Sequence, residues 1–183
     1  MLNVSPEHVG FALVAVLGFW ILGAHNRLVR LRQTVASAFA QLDVHLRQRH
    51  ELLAELIEAA APLQADAPEA VAAVEAARLE ARSAADHVAQ RARQADRLAR
   101  LVTAEKALRV EVARLITLVK TQPALRSDPR LRSAMQQLSA TQHRLSAARD
   151  SFNAAVLQHN RSVRQFPTRL VAAMFGFGEA SKL

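Results

Sequence analysis

The order of apolar and polar positions divides the chain into an uncharged N-terminal stretch and a long amphipathic remainder. From Val9 to Ala24, sixteen consecutive residues carry no charged side chain. As a helix this stretch spans about 24 Å, slightly less than the hydrocarbon core of about 30 Å. Uncharged flanking residues extend it, and modest thinning of the bilayer closes the gap. The pattern therefore predicts a membrane-spanning helix over residues 9–26.

Seven apolar side chains of this stretch are expected to face lipid: Val9, Phe11, Leu13, Val16, Phe19, Trp20 and Ile21. A cleaved signal peptide is disfavoured, because the leader "MLNVSPEH" has no Lys or Arg and no Ala-x-Ala-like cleavage site at the end of the apolar stretch precedes a polar mature start. A buried or interfacial helix is the remaining alternative. Arg27, Arg30 and Arg32 come directly after the span. The positive-inside rule therefore predicts residues 27–183 in the cytoplasm and residues 1–8 outside.

Beyond the span, apolar residues recur every three or four positions, which is typical of amphipathic helices. The first seam of this kind consists of Leu28, Leu31, Val35, Phe39, Leu42, Leu46, Leu53 and Leu56. We expect this helix to continue the span without interruption and to end near Ala61 and Pro62. The turn "LQADAPEA" comes next, with Asp66 as the predicted N-cap and Pro68 in the first turn of the next helix.

Two further helical stretches complete the domain. Residues 69–122 contain neither Gly nor Pro, and their seam consists of Val71, Val74, Ala81, Ala84, Val88, Ala95, Leu98, Val102, Leu108, Val112 and Leu115. Asp128 and Pro129 are the predicted N-cap and first residue of the last helix. Its seam consists of Leu131, Met135, Leu138, Leu145, Phe152, Val156 and Val163, and it is expected to end before Phe166 and Pro167.

The lengths of these helices leave two all-α architectures open. Residues 27–61 and 129–165 would each span about 50–55 Å, whereas residues 69–121 would span about 80 Å. The middle stretch therefore either protrudes as one of three long helices or folds back near "SAADHVAQRARQ" to give four. In both cases a helical domain covers residues 27–165, and an apolar tail covers residues 166–183.

The tail has an apolar cluster with Arg169 beside it: Leu170, Val171, Met174, Phe175 and Phe177. Two interpretations are open. The cluster packs under the helical domain, or it enters the bilayer interface as a second anchor.

The charge distribution points to an anionic partner. The chain has 24 Lys and Arg against 16 Asp and Glu, and its formal net charge is +8. Because Glu7 is the only residue of these four types before position 27, residues 27–183 carry 24 − 15 = +9. Arginines beside a membrane anchor attract anionic headgroups of the inner leaflet, each by about 1 kcal/mol. The alternative is that they only solvate the helix faces. Nucleic acid is disfavoured, because aromatics are 4% of the chain and acids are mixed with the bases.

The sequence lacks the residue arrangements typical of catalysis or metal binding. There is no Cys, and no glycine-rich loop is present to hold a phosphate. His45 and His50 are five residues apart, so they point about 140° apart on a helix and cannot chelate one ion together. His143 and His159 have no carboxylate three or four residues away. We therefore predict a non-enzymatic protein without catalytic residue, cofactor, metal site or small-molecule substrate.

Asn153 and Asn160 lie seven residues apart, which places them on one face of the last helix. They either fix helix register by hydrogen bonding to a neighbouring helix or contact a partner.

Two stretches resemble the LemA family. "HNRLVRLRQTVASAFAQLDVHLRQRHELLAELIE" is similar to the beginning of the family's domain and includes Asn26 and Asp43 at motif positions. "AARDSFNAAVLQHNRSVRQFPTRLVAAMFGF" is similar to its closing motif, whose positions are Asn153, Asn160, Phe166, Pro167, Phe175, Gly176 and Phe177. The chain departs from the pattern at His25, where a Tyr is usual, at Phe39, where Trp is common, and at Ala54, where Pro often lies.

The resemblance implies a single-pass protein of the bacterial cytoplasmic membrane with an antiparallel, up-and-down bundle of four helices. It implies no known reaction. Members of the family accompany other membrane proteins, including metalloproteases, and one branch is associated with making internal membranes.

The sequence supports two hypotheses for function. In the first, the chain is a membrane scaffold that shapes the bilayer through self-association, with Ala-rich, coiled-coil-like seams packing within or between chains. In the second, it is an adaptor that docks a specific membrane protein, such as a protease.

Overall fold

The computed structural model of the chain describes residues 6–90 and 95–183, with side chains over residues 8–88 and 96–183. Within these ranges the chain is helical and contains no strand. The described residues form seven helices: α1 (Pro6–Ala59), α2 (Leu63–Asp66), α3 (Pro68–Gln90), α4 (Ala95–Thr121), α5 (Pro123–Ser127), α6 (Pro129–Arg164) and α7 (Thr168–Met174). The all-α prediction is therefore confirmed.

Helix α1 joins the apolar N-terminal stretch to the first amphipathic seam. It runs for 54 residues without a break, as the continuous pattern predicted. Its N-terminal part is long and apolar enough to cross a membrane, and none of its most apolar window is buried by the rest of the chain. Large apolar side chains such as Phe11, Val14 and Phe19 are exposed there. An exposed apolar helix of this length is stable in lipid and costly in water.

The middle stretch forms two helices. α3 ends at Gln90 and α4 begins at Ala95, on either side of residues that the structure does not describe. The two helices pack against each other. Arg100 on α4 forms a 3.0 Å ion pair with Glu80, and the Arg97 guanidinium donates a 3.0 Å hydrogen bond to the His87 carbonyl. Within the described residues the stretch therefore contains two helices, not one helix of about 80 Å.

The chain divides into two compact units. The first combines the residues up to Val35 with Ala154–Ala180, and the second combines Ala36–Asn153 with Ser181–Leu183. In the second unit the rings of Phe39 and Phe152 meet edge to face with centroids 5.8 Å apart. Its core is otherwise built from fully buried aliphatic side chains: Leu53, Leu56, Leu63, Val74, Val88, Leu98, Leu101, Leu108, Leu115 and Leu131.

Alanine lines much of the buried face of α3. Ala81, Ala84 and Ala85 are buried there together with Val74 and Val88. A face of such small side chains lets a neighbouring helix approach closely, since interaxial distance depends on the side chains at the contact. The seam predicted for α3 is therefore confirmed within the described side chains.

Three local predictions can be compared directly with the structure. Asp128 caps α6 as predicted, and its carboxylate accepts a 2.7 Å hydrogen bond from the Arg130 amide. The prediction for Asp66 was wrong: it is the last residue of α2, and its carboxylate accepts a 2.8 Å hydrogen bond from the Gln122 side chain. The prediction for Val102 was also wrong, because α4 buries Leu101 instead and leaves Val102 44% exposed.

A polar cluster lies inside the second unit. The Arg49 guanidinium donates to the Glu105 carboxylate, and their side chains are only 9% and 15% exposed. The His50 ring is buried beside them, with its Nε2 atom 3.8 Å from the same carboxylate. Burial, and then the positive charges of Arg49, Arg78 and Arg82, lower the pKa of His50 to about 4. At neutral pH His50 is therefore uncharged.

The first unit has a small core of its own. Ala24 and Leu28 of α1 pack against Val171 and Ala172 of α7, and Ile21, Val163 and Phe177 lie at the edge of this cluster. Helix α7 thus joins α1 where the apolar stretch gives way to the first arginines.

Candidate membrane-proximal site

Helix α7 and the phenylalanines that flank it have one buried side and one largely exposed side. Val171 and Ala172 are buried, whereas a second set of apolar side chains is 49–68% exposed: Phe166, Leu170, Met174 and Phe175. The Arg169 guanidinium lies over the Phe166 ring, 5.8 Å from its centroid. The buried side packs on Ala24 and Leu28 of α1. Entry of the exposed side into the bilayer interface stays a prediction.

The sequence around Gly176 explains how α7 ends. The Phe177 amide donates a 2.9 Å hydrogen bond to the Ala172 carbonyl, and the Gly176 amide donates a 3.4 Å bond to the Ala173 carbonyl. This is the pair of bonds that closes a Schellman motif. In this motif the residue just after the helix has a left-handed backbone conformation, and Gly176 at that position has φ +68°. The turn places Phe175 and Phe177 on either side of the glycine.

Those two phenylalanines hold the His25 ring. The His25 and Phe175 centroids are 4.6 Å apart, and the Phe177 ring meets His25 edge-on at 5.5 Å. Aromatic pairs in tilted or edge-to-face geometry add to the stabilisation that burial provides. His25 stands at the position where a Tyr was expected, and its aromatic contacts give that position a structural role.

The basic residues after the span are available to a charged surface. Arg27, Arg30 and Arg32 are all exposed, and none has an ion pair among the described side chains. Asn26, just before them, is exposed as well. Exposed guanidinium groups at the end of an apolar helix lie at headgroup depth if that helix spans a bilayer.

The segment after Gly178 is fixed to α6 by polar contacts within the first unit. His159 Nε2 donates a 3.0 Å hydrogen bond to the Gly178 carbonyl. Arg164 pairs with Glu179, with a 2.6 Å bond between Nε and Oε1. Hydrogen bonding from Arg164 lowers the pKa of Glu179. The Asn160 side chain accepts from the Ala180 amide at 2.9 Å and donates to the Ala180 carbonyl at 2.8 Å.

Asn153 makes the same pair of contacts within the second unit. Its side chain accepts from the Leu183 amide at 2.9 Å and donates to the Leu183 carbonyl at 2.8 Å. Both asparagines thus bind main-chain groups of the tail, and within the described residues neither has a hydrogen bond to a neighbouring helix of the kind expected for register. Seven residues of helix rise about 10.5 Å, and three residues of extended chain span about 10 Å, so the spacing of the two asparagines matches the spacing of residues 180 and 183.

The remaining motif positions have structural contacts. Asp43 accepts a 2.8 Å hydrogen bond from Arg47 Nε, one helical turn later. Phe166 and Pro167 are joined by a cis peptide bond between α6 and α7. Two features here were not predicted from the sequence: the helix α7, and the binding of the tail by the asparagines. The spacing of the asparagines matches that of the tail residues, and this match is the one sequence signal that points to the binding of the tail.

The described residues combine an all-helical fold, one long N-terminal helix that is apolar enough to cross a membrane, and a closing segment bound to the last long helix. This chain belongs to the LemA family, whose pattern matches residues 38–183. The matched range includes α7 and the bound tail, and it begins beyond the apolar stretch of α1. A comparison with curated proteins found no match.

Replacing Gly176 with alanine is expected to lower the free energy of unfolding by about 1–2 kcal/mol, because a side chain is strained in the left-handed region. Gly178→Ala is the matched control: Gly178 lacks a positive φ, and a methyl group added there would meet no atom within 4 Å. The measurement is denaturant unfolding of full-length protein in mild detergent. Equal stabilities for the two variants would contradict the role assigned to Gly176.

Proposed function

We propose that this chain is a non-enzymatic, single-pass scaffold of the bacterial cytoplasmic membrane, which organises or shapes the bilayer in which it is anchored. The observation that carries the proposal is the exposed apolar face of α7 (Phe166, Leu170, Met174 and Phe175), held against α1 beside the end of the apolar stretch. A single-pass anchor alone would not need such a face. With it, the protein has a second contact with the same bilayer.

The depth of α7 supports this contact with lipid. Its buried residues pack on Ala24 and Leu28, next to Ile21 at the end of the apolar stretch. If the span crosses the bilayer, α7 therefore lies at the interface rather than far from it. Apolar side chains flanked by an arginine are typical of helices that lie in the headgroup and acyl boundary.

The charges of the chain suggest an orientation. Arg27, Arg30 and Arg32 are exposed at the C-terminal end of the span, and the positive-inside rule favours the cytoplasm for the residues beyond it. Anionic headgroups of the inner leaflet would pair with them.

We further propose that the soluble helices form an antiparallel, up-and-down bundle. Two contacts support this arrangement for α3 and α4: Arg97 near the start of α4 contacts His87 late in α3, and Arg100, further along α4, contacts Glu80, which is earlier in α3. The order of the partners is reversed, as it is between antiparallel neighbours. A rigid bundle on a continuous α1 would carry lateral contacts between copies, which a scaffold requires.

Contact of α7 with the bilayer can be measured site by site, because the chain has no Cys. Full-length Met174→Cys carries an environment-sensitive fluorophore in liposomes of phosphatidylglycerol and phosphatidylcholine. Lipid with a nitroxide near the headgroup is expected to quench it strongly. Leu79→Cys on α3 is the matched control, since Leu79 is also a large apolar side chain that is half-exposed, and it is expected to show little quenching.

Membrane shaping is tested by electron microscopy of the same liposomes. Full-length protein is expected to deform them, and Leu170→Glu/Met174→Glu is expected to insert normally but to leave them spherical. Leu79→Glu/Val110→Glu, at exposed apolar positions of α3 and α4, should behave like the unmodified protein. Spherical liposomes with the unmodified protein would overturn the scaffold proposal. An adaptor would then remain, and it predicts recovery of a membrane protein partner from mild detergent.

A further inference from the structure

A groove in the second unit has the properties of a ligand site. It encloses about 660 Å³ and is lined by side chains of α1, α4 and α6. This volume lies within the range of about 300–1,000 Å³ that is typical of small-molecule sites, and the space between helices is a common place for them. Its apolar wall consists of Leu42, Leu46, Leu101, Val102 and Leu145. We call this cavity the α4 groove.

The α4 groove explains the exposed Val102. Val102 is 44% exposed although it stands at a helical position next to Leu101, and it lines the cavity together with Leu145. A second cavity, of about 230 Å³, shares Arg49, Arg109 and Gln142 with the first and has an apolar lining of its own. The residues that the two cavities share are polar, so each cavity has its own apolar wall.

The edge of the groove is positively charged. Lys106, Arg109 and Arg149 line it, and none of them has an ion pair among the described side chains. Glu105 is the one acidic side chain of the lining, and Arg49 already binds its Oε2 atom. Leu183 also lines the groove, where Asn153 binds its carbonyl oxygen. Three positive charges beside an apolar wall are therefore left without a partner.

Two buried polar atoms in the lining also lack a partner. The Arg49 side chain is only 9% exposed, and neither its Nε atom nor Glu105 Oε1 makes a hydrogen bond within the described residues. Buried guanidinium nitrogens are normally satisfied, and leaving one unpaired is costly. An acceptor at this end of the groove would satisfy it.

We propose that the α4 groove binds a single-chain anionic amphiphile, namely a long-chain fatty carboxylate. The acyl chain would lie along Leu46, Leu101 and Leu145, and the carboxylate would pair with Arg109 and its basic neighbours. Arginine binds carboxylates through paired, charge-assisted hydrogen bonds. This inference is independent of the proposed scaffold function, because the α4 groove contains no residue of α7.

The test uses the full-length protein in nanodiscs of phosphatidylcholine with palmitate that carries a photoactivatable diazirine in its chain. After irradiation, peptides labelled by the probe are identified by mass spectrometry. Labelling is expected in peptides that contain Leu101 and Leu145, and excess palmitate should suppress it. Probe dissolved in the bilayer also labels residues 9–24, and this signal serves as an internal standard that the groove does not affect.

Arg109→Glu is expected to reduce labelling of the groove peptides about tenfold relative to the span, because it places a negative charge beside the carboxylate. Arg114→Glu is the matched control, since Arg114 is also exposed on α4 and does not line the groove. It should leave the labelling unchanged. Both positions are at the surface, so both variants are expected to fold.

Three results would overturn the proposal. Labelling confined to the span would mean that the groove takes no acyl chain. Groove labelling that Arg109→Glu leaves intact, or that hexadecanol suppresses as well as palmitate, would mean that no anion is recognised. Stronger suppression by lysophosphatidylglycerol than by palmitate would show that the groove prefers a phosphate head group, which contradicts the proposed fatty carboxylate. None of these results bears on the liposome experiment, so the two proposals can fail separately.

Discussion

Replacing Arg49 with methionine is expected to lower the free energy of unfolding by about 3–5 kcal/mol, because it leaves the Glu105 carboxylate buried without its partner. The Arg49 and Glu105 side chains are 9% and 15% exposed, so water can replace little of the lost interaction. Methionine keeps most of the volume of the arginine stem, and the effect is therefore electrostatic rather than a cavity effect. Since whole domains are stable by about 5–15 kcal/mol, this is a large fraction of the total.

The control is an ion pair that is exposed on both sides. Arg100 pairs with Glu80, and their side chains are 70% and 53% exposed. Solvent-exposed pairs contribute little, so Arg100→Met is expected to have no measurable effect. Denaturant unfolding of full-length protein in detergent compares the two variants. Arg49→Met/Glu105→Leu should recover most of the loss, because removing both charges also removes the buried, unpaired one. Equal stabilities for Arg49→Met and Arg100→Met would contradict the assignment.

The helices were predictable because their signals are local. Apolar residues three and four positions apart predicted α1 and α6 across their lengths, and the Asp128–Pro129 pair placed the start of α6. A periodic seam of about thirty residues repeats its signal many times, so a single exception does not hide it. The same reasoning left the middle stretch undecided, because no Gly or Pro marks the break between α3 and α4.

Two predictions failed because the local sequence fitted more than one structure. Leu101 and Val102 are both apolar and both fit a helical seam that includes Leu98, so their order in sequence does not decide which is buried. Asp66 is a good capping residue by type, but α2 ends there and Gln122 uses its carboxylate instead. In each case residues distant in sequence decided the outcome, and the local pattern does not contain them.

In the candidate site too, features formed by neighbouring residues were predictable, and contacts between residues distant in sequence were not. The apolar stretch and the arginines after it are contiguous in sequence, so the membrane-proximal charges were predictable. Asn153 binds a residue thirty positions away, and Arg49 binds one fifty-six positions away. The helix α7 is seven residues long, which is too short for a periodic seam to stand out from a generally apolar tail.

Lowering the pH from 7 to 5 is expected to reduce the free energy of unfolding by about 2 kcal/mol through His50 alone. The pKa of His50 in the folded protein is lowered to about 4 from an unfolded value of 6.5. Between these values the unfolded chain binds a proton that the folded chain does not. The contribution of His50 is therefore negligible above pH 6.5, and it becomes increasingly destabilising as the pH falls toward 4.

The environment of His50 explains why a nearby carboxylate does not raise its pKa. Glu105 Oε1 is 3.8 Å from His50 Nε2, but Arg49 already holds that carboxylate, and Arg78 and Arg82 add positive charge. Neither ring nitrogen of His50 has a hydrogen bond within the described residues. Folding therefore favours the uncharged form of the His50 ring.

The pH effect can be assigned to His50 by substitution. His50→Leu removes two unpaired buried nitrogens, so it is expected to fold as stably as the unmodified protein at pH 7 and to lose the decline between pH 6.5 and 5. His143→Gln, at an exposed position of α6, should keep the decline. The lowered pKa values of Glu75 and Glu179 act in a different window, because they destabilise the fold only as the pH falls below about 4.5. A decline that persists in His50→Leu would mean that another group titrates on unfolding and that the buried ring of His50 is not the source.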